Sequence, residues 1–398
     1  MSTEATFMYL LLCVFSYLEN LVFFPLFVKA STLYRMGDLY FMQGKYDRAL
    51  RSYNEVLSTY KKIGADADDP QAATMLHNLG LCHFRVGPYS RAKTSLKQAL
   101  KIKKTQQNEP NLDIAATYHL LGIVLTAMGQ FDSAMKCLVT ALRIRQEELS
   151  ESAASTHHLS ILNTQLAIGE VHRHRGNLDE AMELFRLVCE DRIRRLGFGH
   201  EASAEALQCI GLVLREEGEF EEAIAMLDKS LSVRKSRLGE ESPLVAETQV
   251  HLSSCYFKLR KVDEATVASN EALRITAKVD PDHILHSNSL KSVADLQQAA
   301  GRYGEALKGY DEVLRIKERW LGDSHLECAD THNNVGNAKF KQGDFQGAEE
   351  AFTKVSKKGR RKKALRRRRA SNETVVLMFF LISFLRNCAS PLFIGAGN

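Results

Sequence analysis

One alanine recurs eight times, at Ala49, Ala92, Ala134, Ala181, Ala223, Ala265, Ala306 and Ala348, close to every 42 residues. Five residues before each stands an anchor, which is Gly44, Gly87, Gly129, Gly176, Gly218, Gly301 or Gly343, with Arg260 breaking the series. Seven residues before each anchor is a small residue: Gly37, Gly80, Gly122, Gly169, Gly211, Ser253, Ala294 and Gly336. Two residues after each anchor is an apolar one, from Tyr46 and Tyr89 to Tyr303 and Phe345. A fixed period held across eight units means stacked supersecondary units rather than one globular core.

The residue types set what each unit is. The anchor glycine fits the left-handed turn at which one helix stops. The small residue before it and the alanine after it let two antiparallel helices approach closely. Apolar residues at helical spacing, such as Leu96, Ala99 and Leu100, fill the space between them. No single pair buries its own apolar face, so neighbours stack. The chain is therefore expected to be all-α, a right-handed α-solenoid of about eight antiparallel helix pairs over residues 31–355. An apolar segment, 1–30, precedes it, and 356–398 follow as a polybasic run and a short apolar tail. The sixth unit, with Arg260 and Ser253 in place of both glycines, predicts a distorted turn. The extra residues at Ser150–Ser155 read as a surface loop.

Composition closes off several classes. Hydrophobic residues make up 45% and charged residues 25% of the chain, which excludes wholesale disorder. Eight cysteines with no CxxC pair read as small buried residues of a reducing compartment, and hence a cytoplasmic chain. The net charge of +5 is local: Lys357–Arg369 holds ten bases and no acid, so the remainder carries −5. That argues against nucleic-acid binding through the repeat body.

The two ends carry several readings. Phe7–Leu18 and the apolar residues up to Val28 read as a membrane or secretory segment, as a helix covering the first repeat, or as an errant first exon. Glu19 and Pro25 interrupt the run, and no basic residue precedes it. Val375–Leu385 is short for a membrane span. The basic run before it reads as a solvated tail, a lipid-binding patch, an import signal or an RNA contact. Arg368-Arg369-Ala370-Ser371 is similar to a basophilic kinase site.

The units resemble the tetratricopeptide repeat. Its pattern is visible in Met36-Gly37 and Tyr40 with Ala49 and Tyr53, and in Ile168-Gly169 with Ala181 and Phe185. The 42-residue period and the junctions Leu196-Gly197…His200, Leu238-Gly239…Pro243 and Leu321-Gly322…His325 are similar to the kinesin light chain form of that repeat. The resemblance implies that first helices line a concave groove receiving peptide segments of partner proteins. It places Phe41, Leu81 and Phe84 in an apolar pocket, and Arg173 and Arg215 beside an acidic or C-terminal group. Local acids such as Glu170 are the competing partners for those arginines, and the phenylalanines also read as core. Asn78, Asn333 and Asn334 match positions that hold a peptide backbone in light chains, and Asn337 falls at an inward-pointing groove position. Light chains carry a heptad coiled coil before their repeats and no a/d heptads are present here, so a kinesin heavy chain is an open partner.

No chemistry-bearing pattern competes. Gly37–Lys45 is superficially similar to a phosphate loop, but its spacing is wrong and no strand precedes it. His172/His174 are two apart on a helix and diverge, His157-His158 read as adjacent in a loop, and His283/His286 lack a third ligand close in sequence. The expectation is a non-enzymatic protein-interaction scaffold with no cofactor and no metal, in the manner of a light-chain cargo adaptor. The alternative is a membrane-attached receptor or an import or assembly factor held through an apolar terminus.

Overall fold

The computed structural model describes residues 26–63, 70–106, 111–151, 155–323 and 325–355. Both apolar ends, apart from residues 26–28, and the basic run Lys357–Arg369 lie outside the described residues. So do the side chains of His157 and His158. Among the described residues the chain is all-α with no strand. The helices are α1 (26–42), α2 (Tyr46–Ile63), α3 (Pro70–Val86), α4 (Tyr89–Gln106), α5 (Leu112–Ala127), α6 (Phe131–Glu151), α7 (Ser155–Arg175) and α8 (Leu178–Leu196). They continue as α9 (Glu201–Glu217), α10 (Phe220–Leu238), α11 (Pro243–Lys258), α12 (Val262–Val279), α13 (Ile284–Ala299), α14 (Tyr303–Leu321), α15 (Leu326–Gln342) and α16 (345–355). The chain forms two compact units, Met1–Cys328 and Ala329–Asn398.

Each repeat is a helix pair closed by its anchor. The seven anchor glycines have φ between 68° and 98°. Gly37–Lys45 is accordingly the end of α1 and its turn. Arg260 takes the same conformation, with φ 64°. Its turn keeps the pattern of the others: Arg260 N–H donates to Phe257 O at 3.1 Å and Lys261 N–H to Tyr256 O at 2.9 Å. The repeat-seven turn has the same pair, Gly301 to Gln298 at 3.1 Å and Arg302 to Gln297 at 2.9 Å. The expected distortion is absent, because the surrounding hydrogen bonds hold Arg260 in a left-handed well that its Cβ disfavours. The expected loop at Ser150–Ser155 is also curtailed, since α6 runs to Glu151 and α7 starts at Ser155.

The small residues set how closely the two helices pack. A Cβ added to Gly37, Gly80, Gly122, Gly169 or Gly211 would lie 2.5–2.9 Å from Tyr53, Leu96, Leu138, Phe185 or Leu227, nearer than side-chain carbons approach. In the second unit Gly336 faces Phe352 in the same way, at 2.6 Å. Repeat six solves the contact with two small residues, the buried Ser253 and Ser269, whose hydroxyls are 2.5 Å apart.

In five repeats a buried cation then reaches toward the next repeat. Lys103, Arg145, Arg192, Arg234 and Lys317 each follow their anchor by sixteen residues and are almost fully buried. Lys103 reaches Thr117 at 2.9 Å and Asp113 at 2.7 Å. Arg145 donates to Ser160 O at 2.7 Å, and Arg192 to Asn163 at 2.8 Å and Glu205 at 3.0 Å. Lys317 reaches Glu327 at 2.8 Å. Partners of this kind are what let a charged group stay inside.

The junctions are capped by histidine and serine. Nδ1 of His200, His283 and His325 accepts from the backbone N–H two residues ahead, as Ser242 Oγ does in front of Pro243. Within the first unit the stack returns on itself. Trp320 at the end of α14 is 3% exposed and lies edge-on to Tyr89 of α4, with ring centroids 5.7 Å apart. It also packs on His283 at 4.7 Å, covers Gly87, and donates from Nε1 to Asp282 O at 2.9 Å.

Candidate binding face

The first helices of repeats four, five and six are α7, α9 and α11. Residues three or four apart share a helix face, so α7 offers Glu170 and Arg173, α9 offers Gln208 and Arg215, and α11 offers Glu247 and His251. These side chains meet across the repeat boundaries. Arg173 Nη2 lies 2.7 Å from Glu170, and Arg173 Nη1 pairs with Glu216. Arg215 donates to His251 Nδ1 at 3.1 Å and is 3.7 Å from the same Glu216. Gln208 donates to Glu247 at 3.3 Å and accepts from Arg234, which also donates to Thr248 at 2.8 Å.

The charges divide unequally. Arg173 is 8% exposed, and although burial opposes its charge, Glu170 and Glu216 hold it firmly protonated. Burial likewise works against the Glu170 carboxylate, yet Arg173 pulls it below its usual range. His251 is pushed well below the ordinary imidazole range by burial and by Arg215, Arg173 and Arg234, so it accepts from Arg215 as a neutral ring. Arg215 is more open, with 22% of its side chain exposed. Of its five donors, one goes to His251. The cluster is a polar seam joining three repeats, with Arg215 at its accessible edge.

The other expected residues fall elsewhere. Asn78 is half-buried on α3, near Tyr34 of α1. Phe41 packs in the repeat-one core with Tyr53 and Val56, against Tyr46 of its own repeat. Leu81 and Phe84 pack on the adjoining core that contains Tyr89, Leu121 and Trp320. The structure thus sets Phe41 apart from Leu81 and Phe84 in packing. Asn333 and Asn337 are exposed and Asn334 half-buried on α15, in the second unit.

Sequence reasoning missed Glu216, His251 and the buried cations. The cations were findable, because a base recurs sixteen residues after five of the eight anchors. Of the histidines examined as ligands, His283 caps α13 and His286 bonds Thr276 at 3.1 Å. His174 stacks on Phe131 with centroids 5.6 Å apart. Among the described residues no three His, Cys, Asp or Glu side chains gather as a metal site needs, and no helix is long and apolar enough to cross a membrane.

Comparison with known proteins agrees with this architecture. The tetratricopeptide repeat model matches residues 28–105, 71–147, 113–193, 202–278, 244–314 and 285–357. The chain belongs to the tetratricopeptide repeat family. Its repeats are of the kinesin light chain type. Protein KINESIN LIGHT CHAIN-RELATED 1 of Arabidopsis thaliana is 22% identical over 320 residues, covering 80% of this chain and 44% of that protein. KINESIN LIGHT CHAIN-RELATED 3 of the same plant is 21% identical over 353 residues, covering 78% and 53%. The chain therefore spans about half the length of these relatives. Among solved structures, the Rap conjugation gene regulator of plasmid pLS20, in complex with the Phr* peptide, superposes with a TM-score of 0.60 at 14% identity. That match covers 84% of this tetratricopeptide repeat protein and 96% of the regulator. The fold is an interaction scaffold.

Proposed function

We propose that the protein binds peptide segments of partner proteins along its first-helix face, as a light-chain-like adaptor without catalytic activity. The observation that carries the reading is the seam of Arg173, Glu216, Arg215 and His251, which brings three successive repeats to one polar face. Arg215 keeps free donors at its edge, which suits an acidic side chain or a C-terminal carboxylate. Nearer the first repeats, Asn78, Leu81 and Phe84 on α3, and Phe41 on its separate core in α1, are the candidate amide and apolar contacts. On the second unit, taken by itself, Asn333, Asn334 and Asn337 are the candidate amide contacts of α15. A peptide-bound structural relative supports the mode of binding. The light-chain relatives support an adaptor role, with a kinesin heavy chain or a motor cargo among the candidate partners.

The test is affinity capture with the full chain, its partners identified by mass spectrometry, alongside Arg215→Glu and Asn78→Ala. Partners lost with Arg215→Glu, in a protein whose circular dichroism is unchanged, support the polar face. Partners retained by both variants move binding to another surface. Recovery of a motor subunit or its cargo selects the adaptor reading over a scaffold outside motor transport.

A further inference from the structure

Residues 70–106, which comprise α3, its turn and α4, hold seven lysines and arginines and no acid. The second helices α8, α10, α12 and α14 all start with acidic residues, whereas α4 has none. Asp66, Asp68 and Asp69 precede α3 in sequence and fall outside the described residues. Lys103 is the inward cation paired with Asp113. The others along α4 are Lys93, Lys97, Lys101 and Lys104, separated by four, four and three residues, which is one helix face.

Among the described residues the row is open and no acidic side chain pairs with it. Lys97, Lys101 and Lys104 are exposed. Lys97 and Lys101 have no hydrogen bond or ion pair among the described residues. Lys104 lies over the ring of Tyr118 at 5.0 Å, and Lys93 donates to Gln130 at 2.8 Å. Burial and the neighbouring Lys97 both push Lys93 below its ordinary range, as expected of a row short of anions.

We propose that this lysine row is a second docking surface, on a second helix of the stack, that takes an extended acidic segment of a partner protein. Four residues of α-helix rise about 6 Å. Side chains on one side of an extended strand recur about every 6.6 Å. Acids at alternate positions of an extended segment therefore meet successive lysines. The body outside Lys357–Arg369 carries −5, so an acid-free helix is a local exception in it. An extended acidic chain matches a row of lysines along one helix, whereas a nucleic-acid duplex or a membrane presents its phosphates over a wider area than the row covers.

The experiment uses the full chain and a fluorescein-labelled twelve-residue peptide of alternating Glu and Thr, read by fluorescence anisotropy in 50 mM NaCl. Because Lys357–Arg369 is a competing site, each measurement is repeated with its ten bases changed to Gln. Lys97→Gln, Lys101→Gln and Lys104→Gln together are expected to raise Kd at least tenfold in both backgrounds. Lys258→Gln with Lys261→Gln leaves Kd unchanged. Raising NaCl to 300 mM is expected to weaken wild-type binding by a similar factor. A triple variant that binds normally once the basic run is neutralised overturns the proposal. Tighter binding of the row to a twelve-nucleotide single strand, or to phosphatidylserine vesicles, overturns the choice of partner.

Discussion

Ser253 and Ser269 face each other with their hydroxyl oxygens 2.5 Å apart, at the position where five other repeats of the first unit set a glycine beneath Tyr, Leu or Phe. Ser253 also donates to Ala265 O at 2.9 Å, and Ser269 reaches Ser292 of the next repeat at 2.7 Å. The pair conserves the close helix approach by sharing volume instead of concentrating it on one side. Three hydroxyls satisfy one another, so the polar atoms stay buried without an orphan.

A cross-over of volumes tests this. Ser269→Leu alone drives a leucine into the Ser253 side chain and strips two hydroxyls of a partner, an expected loss of about 2–3 kcal/mol. Adding Ser253→Gly recreates the arrangement of Gly211 under Leu227 and is expected to recover at least 1 kcal/mol of it. Urea unfolding of the two single variants and the double variant measures the coupling; strict additivity would mean that the contact is not limiting.

Arg260 holds a left-handed conformation, φ 64°, in a turn where the other seven anchors are glycine. Arg260→Gly removes the Cβ clash without touching the hydrogen bonds of the turn. The net gain is expected to be about 1 kcal/mol, after allowing for the greater freedom glycine gives the unfolded chain. A thermal melt reads it as a rise in Tm; a fall would show that the Arg260 side chain contributes more than its backbone costs.

The repeat was legible because a turn that needs a positive φ and a contact that excludes a Cβ both leave glycine at fixed spacing. Repeat six was misjudged since its turn is held by neighbouring backbone hydrogen bonds, which no single residue announces. At the candidate face, Arg173 and Arg215 were legible as residues, but their partners were not. Glu216 lies 43 residues from Arg173 and His251 lies 36 from Arg215, and only the stacking angle between repeats decides such pairings. The buried cations were overlooked for a different reason: a base among polar neighbours near a helix end reads as solvated until the next repeat covers it.

Arg192 separates charge from packing. It is 1% exposed and donates to Asn163, Glu205 and Ala202 O. Arg192→Ala opens a cavity and leaves the Ala202 carbonyl and Asn163 short of a donor, at an expected cost of about 3 kcal/mol. Arg192→Met strips the same acceptors but keeps most of the volume, and is expected to cost about 1–2 kcal/mol less than Arg192→Ala. Urea midpoints of the two variants check the ranking, and equal losses would assign the whole effect to the charge.

Trp320 is the chain's single tryptophan and seals α14 against the α3–α4 turn. A Cβ at Gly87 would lie 2.8 Å from its indole, and Gly87 has φ 73° besides. Gly87→Ala is therefore expected to displace the indole, shifting its emission to longer wavelength and increasing acrylamide quenching. Unchanged emission would mean that the turn moves and the α14–α4 contact stays closed.

Acid should weaken the fold through its buried histidines. Burial, with Lys103 adding to it, pushes His77 down to about 4; burial and Arg145 push His119 down to about 3. Above the unfolded value of about 6.5 both rings are neutral in either state, and they add no pH dependence. Below it the unfolded chain takes up protons that the folded chain refuses, so stability falls with pH until the folded values are reached. Each histidine is expected to cost up to about 2 kcal/mol at pH 5. Glu170 and Asp191, held below their usual range mainly by arginines despite their burial, lose their contribution only at lower pH. Urea midpoints at pH 7, 6 and 5 should fall for the wild type. His119→Gln, which has no proton to gain, should show a slope shallower by about 1.4 kcal/mol per pH unit well below 6.5. Parallel slopes would mean that His119 protonates freely and that α5 and α6 open around it.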